Sequence, residues 1–270
     1  MRKGMISVIM GIYNCESTLE KAIDSIISQT YQNWELILCD DCSTDNTYEI
    51  ALSYKKRFPD KIILIRNKKN SKLSYTLNHC LKYARGEYIG RMDGDDISLP
   101  TRFEKQMRYM REHPECDVVG TSMRRFDENG EGDVILAAKN PDYYTLRNRN
   151  PFHHATIIAK KEVYDALGGY TVSKRTIRGQ DNDLWFRFYH AGFQGNNIME
   201  PLYLMREDIA AIKRRTVKTR LNALRTEIKG YHLLRYPKHW LIKPILYTII
   251  KIMIPNRLML KYRRFQMHFK

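Results

Sequence analysis

Apolar positions in the first third of the chain come in short unbroken runs separated by stripes of helical period. Residues 5–11 form an apolar run broken only by Ser7 and rich in β-branched side chains, as a strand buried on both faces requires. Leu19, Ala22, Ile23, Ile26 and Ile27 then recur at i, i+3, i+4, i+7 and i+8, an amphipathic helix. Ser17-Thr18-Leu19-Glu20 ahead of it has the spacing of a capping box. A second strand spans 34–39 and ends in Asp40-Asp41-Cys42-Ser43, with helical signals continuing to about Arg57. Residues 62–65 make a third strand; Leu73, Leu77, Cys80, Leu81 and Ala84 mark a helix that Gly86 stops. A fourth strand over 87–92 runs into Asp93-Gly94-Asp95-Asp96.

Four strands alternating with three helices over some 95 residues predict an α/β fold with a parallel, doubly wound sheet. Such sheets bind ligands at the carboxyl ends of their strands, where both aspartate clusters fall. Beyond Pro100 the order loosens. A helix is expected over 101–111, a strand over 117–123, a turn at Asn129-Gly130 and a strand over 155–159. A short helix over 162–167 stops at Gly168-Gly169, and 183–190 has helical spacing. The pattern contains no internal repeat.

Hydrophobic residues at 43% and charged residues at 28% exclude both a disordered chain and a polytopic membrane protein. The net charge of +16 over 270 residues is distributed unevenly. Residues 206–270 carry 17 Lys and Arg against three acids, a net of +14, which leaves the preceding body at +2. A basic tail suits phosphates, on nucleic acid or on an anionic membrane. A nucleic-acid-binding protein would interleave basic and aromatic residues on its body, and this body is almost neutral. Cys15, Cys39, Cys42, Cys80 and Cys116 are scattered and odd in number, so no disulfide framework is implied and a reducing cytoplasm is expected. Cys39-x-x-Cys42 lacks the second pair of a zinc site. The first residues read as a strand rather than a signal peptide.

Asp93-x-Asp95, with Asp96 beside it, places hard oxygen ligands just past a strand, an arrangement suited to Mg²⁺ or Mn²⁺ shared with phosphate and equally compatible with an acidic turn. Asp40-Asp41 ends strand two on the same edge, and Tyr13-Asn14 follows strand one.

Taken with their spacing, Ser7-Val8-Ile9-Met10-Gly11-Ile12-Tyr13-Asn14, Ser28-Gln29-Thr30-Tyr31 and Asp41-Cys42-Ser43-Thr44-Asp45 resemble family 2 glycosyltransferases of the GT-A fold. So do Gly86-Glu87-Tyr88-Ile89-Gly90-Arg91-Met92-Asp93-Gly94-Asp95-Asp96, Asn150-Pro151-Phe152-His153-His154 and Asp181-Asn182-Asp183-Leu184-Trp185. The resemblance covers roughly residues 1–205 and not the tail. It implies a nucleotide-sugar-binding half over 1–97 and an acceptor-binding half over 98–205. It further implies that Tyr13, at a pocket edge with Gly11, stacks on the nucleotide base and that Asp41 accepts a hydrogen bond from it. Asp93 would hold the ribose or assist the metal, and Asp95 would ligate Mn²⁺ or Mg²⁺ on the donor diphosphate. His154 aligns with a histidine that reaches the metal or the diphosphate, and Asp181 with the general base of an inverting transfer. Gln180 stands where the family has Glu, Gly11 where Pro is frequent, and Lys72 where Gly is. The implied donor is a UDP-sugar and the acceptor a glycan or lipid-linked glycan.

The tail, 206–270, carries helical apolar spacing at Ile212, Val217, Leu221, Leu224, Ile228 and Leu233. An apolar stretch over 239–254 follows, too short to span a bilayer and interrupted by Lys243, Pro244 and Lys251. Two readings stay open: helices that dock on the body, and helices that lie on an anionic membrane surface. Coinciding apolar and basic character favours the second. The expected protein is therefore a cytoplasmic glycosyltransferase, peripheral at the inner face of the membrane. Its rivals are a nucleic-acid-binding protein and a nucleotidyltransferase; the latter needs a Gly-rich, Arg-containing loop after strand one, where Ile12-Tyr13-Asn14-Cys15-Glu16 stands.

Overall fold

Each apolar run in the first third becomes a strand and each stripe a helix. The structure, a computed structural model, describes residues 1–128, 130–207 and 216–254. β1 (Arg2–Ile12), β2 (Trp34–Asp40), β3 (Ile62–Arg66) and β4 (Gly86–Arg91) alternate with α1 (Leu19–Ile27), α2 (Thr47–Arg57) and α3 (Leu73–Leu81). The four strands are parallel, in the spatial order β3-β2-β1-β4. The chain thus steps outward from β1 to β3 and returns to the other side of β1. That reversal opens a crevice at the carboxyl ends of β1 and β4.

The second half extends the same sheet. β5 (Ile97–Ser98), α4 (Arg102–Glu112), β6 (Val118–Asp127), β7 (Gly130–Ile135), β8 (Ile158–Lys160), α5 (Lys161–Leu167), α6 (Gln180–His190) and β9 (Gly195–Arg206) follow in order. β8 lies antiparallel on β4 and β6, β9 parallel to β6, and β5 antiparallel on β9. Alternate residues of β1 face opposite cores. Ile6, Val8 and Met10 pack with α1 and α4, whereas Ile9 packs with Leu77 of α3 and Leu184 and Phe188 of α6. Gly86 does not stop a helix; it opens β4. A Cβ there would lie 2.4 Å from the Met5 carbonyl oxygen, so only glycine admits this approach to β1.

Three local expectations change. Thr18 does not cap α1 with its side chain; its hydroxyl donates to the Gly94 carbonyl at 2.9 Å, tying the helix start to the acidic loop. Residues 154–156 form a 3₁₀ turn, and the strand expected over 155–159 begins at Ile158. Arg206 ends β9, its guanidinium 4.5 Å over the Phe126 ring. Asn129 of the expected turn, Ile212, and the tail past Ile254 lie outside the described residues.

Two helices close the described chain, α7 (Val217–Leu233) and α8 (Ile242–Met253). α7 lies against α6: Tyr231 meets Phe186 edge-on, and Asn222 Nδ2 donates to the Lys174 carbonyl at 3.0 Å. Among the described residues no helix is long and apolar enough to cross a membrane.

Candidate functional site

Parallel register delivers the first pocket. Ile12 pairs with Asp40, so the next residues, Tyr13 and Asp41, leave the sheet side by side. With Gly11, Lys72, Leu73 and Thr76 they line a pocket of about 220 Å³. A Cβ on Gly11 would come within 3.1 Å of Thr76, so α3 closes the pocket floor. Tyr13 is 47% exposed and offers an open ring face. Asp41 is buried. Its Oδ1 accepts from Asn67 Nδ2 (2.8 Å) and Ser71 N (2.7 Å), and its Oδ2 from Lys72 N (2.9 Å), which pins the loop at the pocket mouth. A carboxylate accepts about four hydrogen bonds, so roughly one site on Asp41 is left for a ligand. Asp40 faces elsewhere: it pairs with Arg66 at 2.8 Å and caps the turn at Ser43.

Asp93 belongs to the loop after β4, on the other side of the crevice. Its Oδ1 lies 2.5 Å from the guanidinium of Arg91, a buried side chain whose Nε and Nη1 find no partner among the described residues. Asp95 is half-buried and Asp96 buried, with Asp96 Oδ1 accepting from Arg206 N at 2.7 Å. Burial, and then the Asp93 and Asp95 carboxylates, push the Asp96 carboxyl well up. His154 Nε2 lies 2.8 Å from the Tyr170 hydroxyl, and its buried Nδ1 has no partner among the described residues. Burial, reinforced by Arg91, holds its imidazole neutral.

No three His, Cys, Asp or Glu side chains converge as a ligand set among the described residues. Asp93 and Asp95 nonetheless fit a hard divalent cation that completes its shell with phosphate oxygens and water.

The larger cavity, about 740 Å³, opens at the start of α6. Gly179, at φ +103°, turns the chain into the helix, and Asp181 occupies the first turn. Asn150 Nδ2 donates to Asp181 Oδ2 at 2.9 Å. Burial pushes the Asp181 carboxyl up, against the pull of the helix-start N–H groups, Asn150 and Arg91. Two residues on, Asp183 has a different part. Burial would raise it too, but the Thr171 hydroxyl at 2.5 Å, Arg175 at 2.5 Å and Arg187 at 3.0 Å hold it below the usual carboxylate range. One acid of the turn thus faces a cavity while the other anchors the loop.

Leu73 lines both cavities, so they adjoin. One wall of the larger one comes from the tail: Thr219, Arg220 and Glu227 of α7, with Tyr247 and Lys251 of α8. Arg91 and Asn150 stand in the motifs quoted from the sequence but were given no role of their own, and this wall was not foreseen. The wall had a signal, since 220, 223, 224 and 227 share one helical face. The five cysteines are free thiols.

The profile of Glycosyl transferase family 2 matches residues 7–177. EpsE of Bacillus subtilis (strain 168) is 44% identical over 255 residues, 93% of this chain and 92% of that one. The UDP-Glc:alpha-D-GlcNAc-diphosphoundecaprenol beta-1,3-glucosyltransferase WfaP of Escherichia coli is 28% identical over 84% of this chain and 89% of its own. Among solved structures, the mannosyltransferase PcManGT from Pyrobaculum calidifontis, in complex with GDP-Man and Mn²⁺, superposes with a TM-score of 0.61 at 21% identity, covering 95% of this chain and 72% of that one.

Proposed function

Because the chain belongs to glycosyl transferase family 2, we propose that it moves a sugar, with inversion, from a UDP-linked donor to a hydroxyl of a lipid-linked glycan. The observation that carries this reading is the pair of adjoining cavities, one edged by Tyr13 and Asp41, the other by Asp181. The relative that uses UDP-Glc and a diphosphoundecaprenol acceptor supports the choice of donor and acceptor class.

The nucleotide base stacks on Tyr13 over Gly11 and donates to the remaining site on Asp41. Asp93, steadied by Arg91, would hold the ribose or join Asp95 in holding Mn²⁺ or Mg²⁺, and the His154 Nδ1 would ligate that ion through its lone pair or, as N–H, donate to the diphosphate. Such an ion, when bound, neutralises charge on the departing diphosphate. Asp181 takes the proton of the attacking hydroxyl on the face opposite the leaving group, and Asn150 keeps its carboxylate aimed. One base on one face gives inversion without a covalent sugar–enzyme intermediate.

Residues 1–205 then form the catalytic domain, and 206–270 an appended tail. The exposed apolar side chains of α8, Leu246, Ile249, Ile250 and Met253 among them, together with the tail's basic charge, support attachment to the anionic inner face of the membrane.

The test is a hydrolysis and transfer screen across UDP- and GDP-sugars with Mn²⁺, with and without chelator. Wild type should consume one donor only with metal present. Asp95→Asn should abolish turnover and the metal-dependent tightening of UDP binding while keeping a native melting profile. Full activity under chelator would overturn the metal assignment. Failure to consume any donor would overturn the function.

A further inference from the structure

The tail contributes a carboxylate to the catalytic cleft. Glu227 lies on α7, beyond the 7–177 stretch that the family profile matches, and lines the same 740 Å³ cavity as Asp181. It is half-buried, yet none of the hydrogen bonds or ion pairs among the described residues involves it. Burial pushes the Glu227 carboxyl up and outweighs the attraction of the Lys251 charge. A structural carboxylate at such depth would be paired, as Asp183 is with Arg175 and Arg187. A solvated one would be exposed. Glu227 is neither, and its acceptor capacity is unspent where the cavity begins.

Its position is fixed rather than incidental. Asn222 and Thr226 bond the carbonyls of Lys174 and Arg175 at 3.0 and 3.2 Å, and the same Arg175 pairs with Asp183 in the turn that carries Asp181. Gly230, one turn past Glu227, lets α7 press on Phe186, where a Cβ would stand 2.2 Å from the ring. The first turn of α6, bearing Asp181, and the helix bearing Glu227 therefore share one set of anchors.

We propose that Glu227 is an acceptor-binding residue that takes hydrogen bonds from hydroxyls of the acceptor sugar and so presents a neighbouring hydroxyl to Asp181. A carboxylate satisfies two adjacent hydroxyl donors at once, and charge-assisted hydrogen bonds are the strong ones. The proposal rests on the reading that the larger cavity takes the acceptor.

The probe is transfer from UDP-glucose to α-linked N-acetylglucosamine diphosphate on a short polyprenyl chain, with UDP affinity and melting temperature measured in parallel. Glu227→Gln keeps shape and removes charge. It should raise the acceptor KM by about tenfold or more, with donor KM, UDP affinity and melting temperature unmoved. Glu227→Asp should recover part of that loss, which a packing role would not. An acceptor KM within about twofold of wild type in Glu227→Gln overturns the proposal. So does a collapse of kcat at unchanged KM, because proton abstraction would then belong to Glu227. A wild-type protein that consumes a donor yet transfers to no acceptor while Asp181→Asn changes nothing overturns the acceptor reading and this inference with it.

Discussion

Lys72 holds φ +71° and ψ 162°, a backbone region that is essentially glycine's. Its N–H bond to Asp41 keeps it there, at the mouth of the smaller pocket. Strain of this kind costs about 1–3 kcal/mol, whereas the extra chain entropy of glycine costs about 0.5–1 kcal/mol. Strain is the larger effect, so Lys72→Gly should raise the unfolding midpoint by roughly 2 °C by calorimetry. A lower midpoint would mean that the lysine side chain contributes more than the strain removes. Asp181 shows the same tension in charge. Its raised carboxyl is stabilising while protonated, and that contribution is lost as pH rises through the folded-state value. A general base works only when ionised, so kcat should fall on the acid side at a pH above the ordinary carboxyl range and be level above it. Asp181→Asn should cut transfer about a hundredfold or more, remove that limb of the profile, and leave the fold as stable or more so at neutral pH. An unchanged limb in the variant would assign it to another group. At this scale the aspartates were legible, because short polar loops after apolar strands stand out. Arg91 and Asn150 lay inside the quoted motifs, but their roles were not legible: the fold turns Arg91 onto Asp93 and brings Asn150 to a turn 31 residues away.

Helix α7 shows where propensity and packing disagree. Glycine inside a helix costs up to about 1 kcal/mol against alanine, so Gly230→Ala improves the isolated helix. In the folded chain the new methyl would stand 2.2 Å from the Phe186 ring, and overpacking costs about 1–3 kcal/mol. Packing should win, lowering the melting temperature and slowing transfer by displacing the cavity wall, while UDP affinity stays near wild type because the smaller pocket does not include α7. A stabilised, fully active variant would show that α7 does not press on α6 in solution. The same contrast explains what could be read at the level of elements. β1 to β4 are buried runs and announce themselves. β9, twelve residues long, mixes Asn196, Asn197, Glu200 and Pro201 into a half-buried strand next to the two-residue β5, so no period marks it. The capping box at Ser17 failed because α1 starts one residue later, with Thr18 at its N-cap position and the Thr18 hydroxyl bonded to Gly94, 76 residues ahead.

Across the whole molecule, charge and apolar surface gather toward one end of the sequence. The exposed side chains of α8 and the basic tail should hold the protein on phosphatidylglycerol-containing vesicles, each well-placed charge adding up to about 1 kcal/mol. Leu246→Ser with Ile249→Ser should release it in flotation, with UDP affinity retained, and salt should weaken wild-type binding only in part, since apolar insertion is unscreened. Complete release by salt alone would leave insertion without a role. The docked and surface-bound readings of the tail, rivals in the sequence, are compatible in the fold: Tyr231 of α7 packs against Phe186 while α8 exposes Met253.

Leu73 stands in the partition between the two cavities, but their walls are completed at different times during synthesis. The lining of the smaller pocket ends at residue 76 and the other residues assigned to the donor end at His154, whereas the larger cavity needs Lys251. On the proposed reading, a nascent or clipped chain can hold an activated sugar long before it can choose who receives it. Water is then the only acceptor at hand, so the late-arriving helices separate a synthase from a wasteful hydrolase.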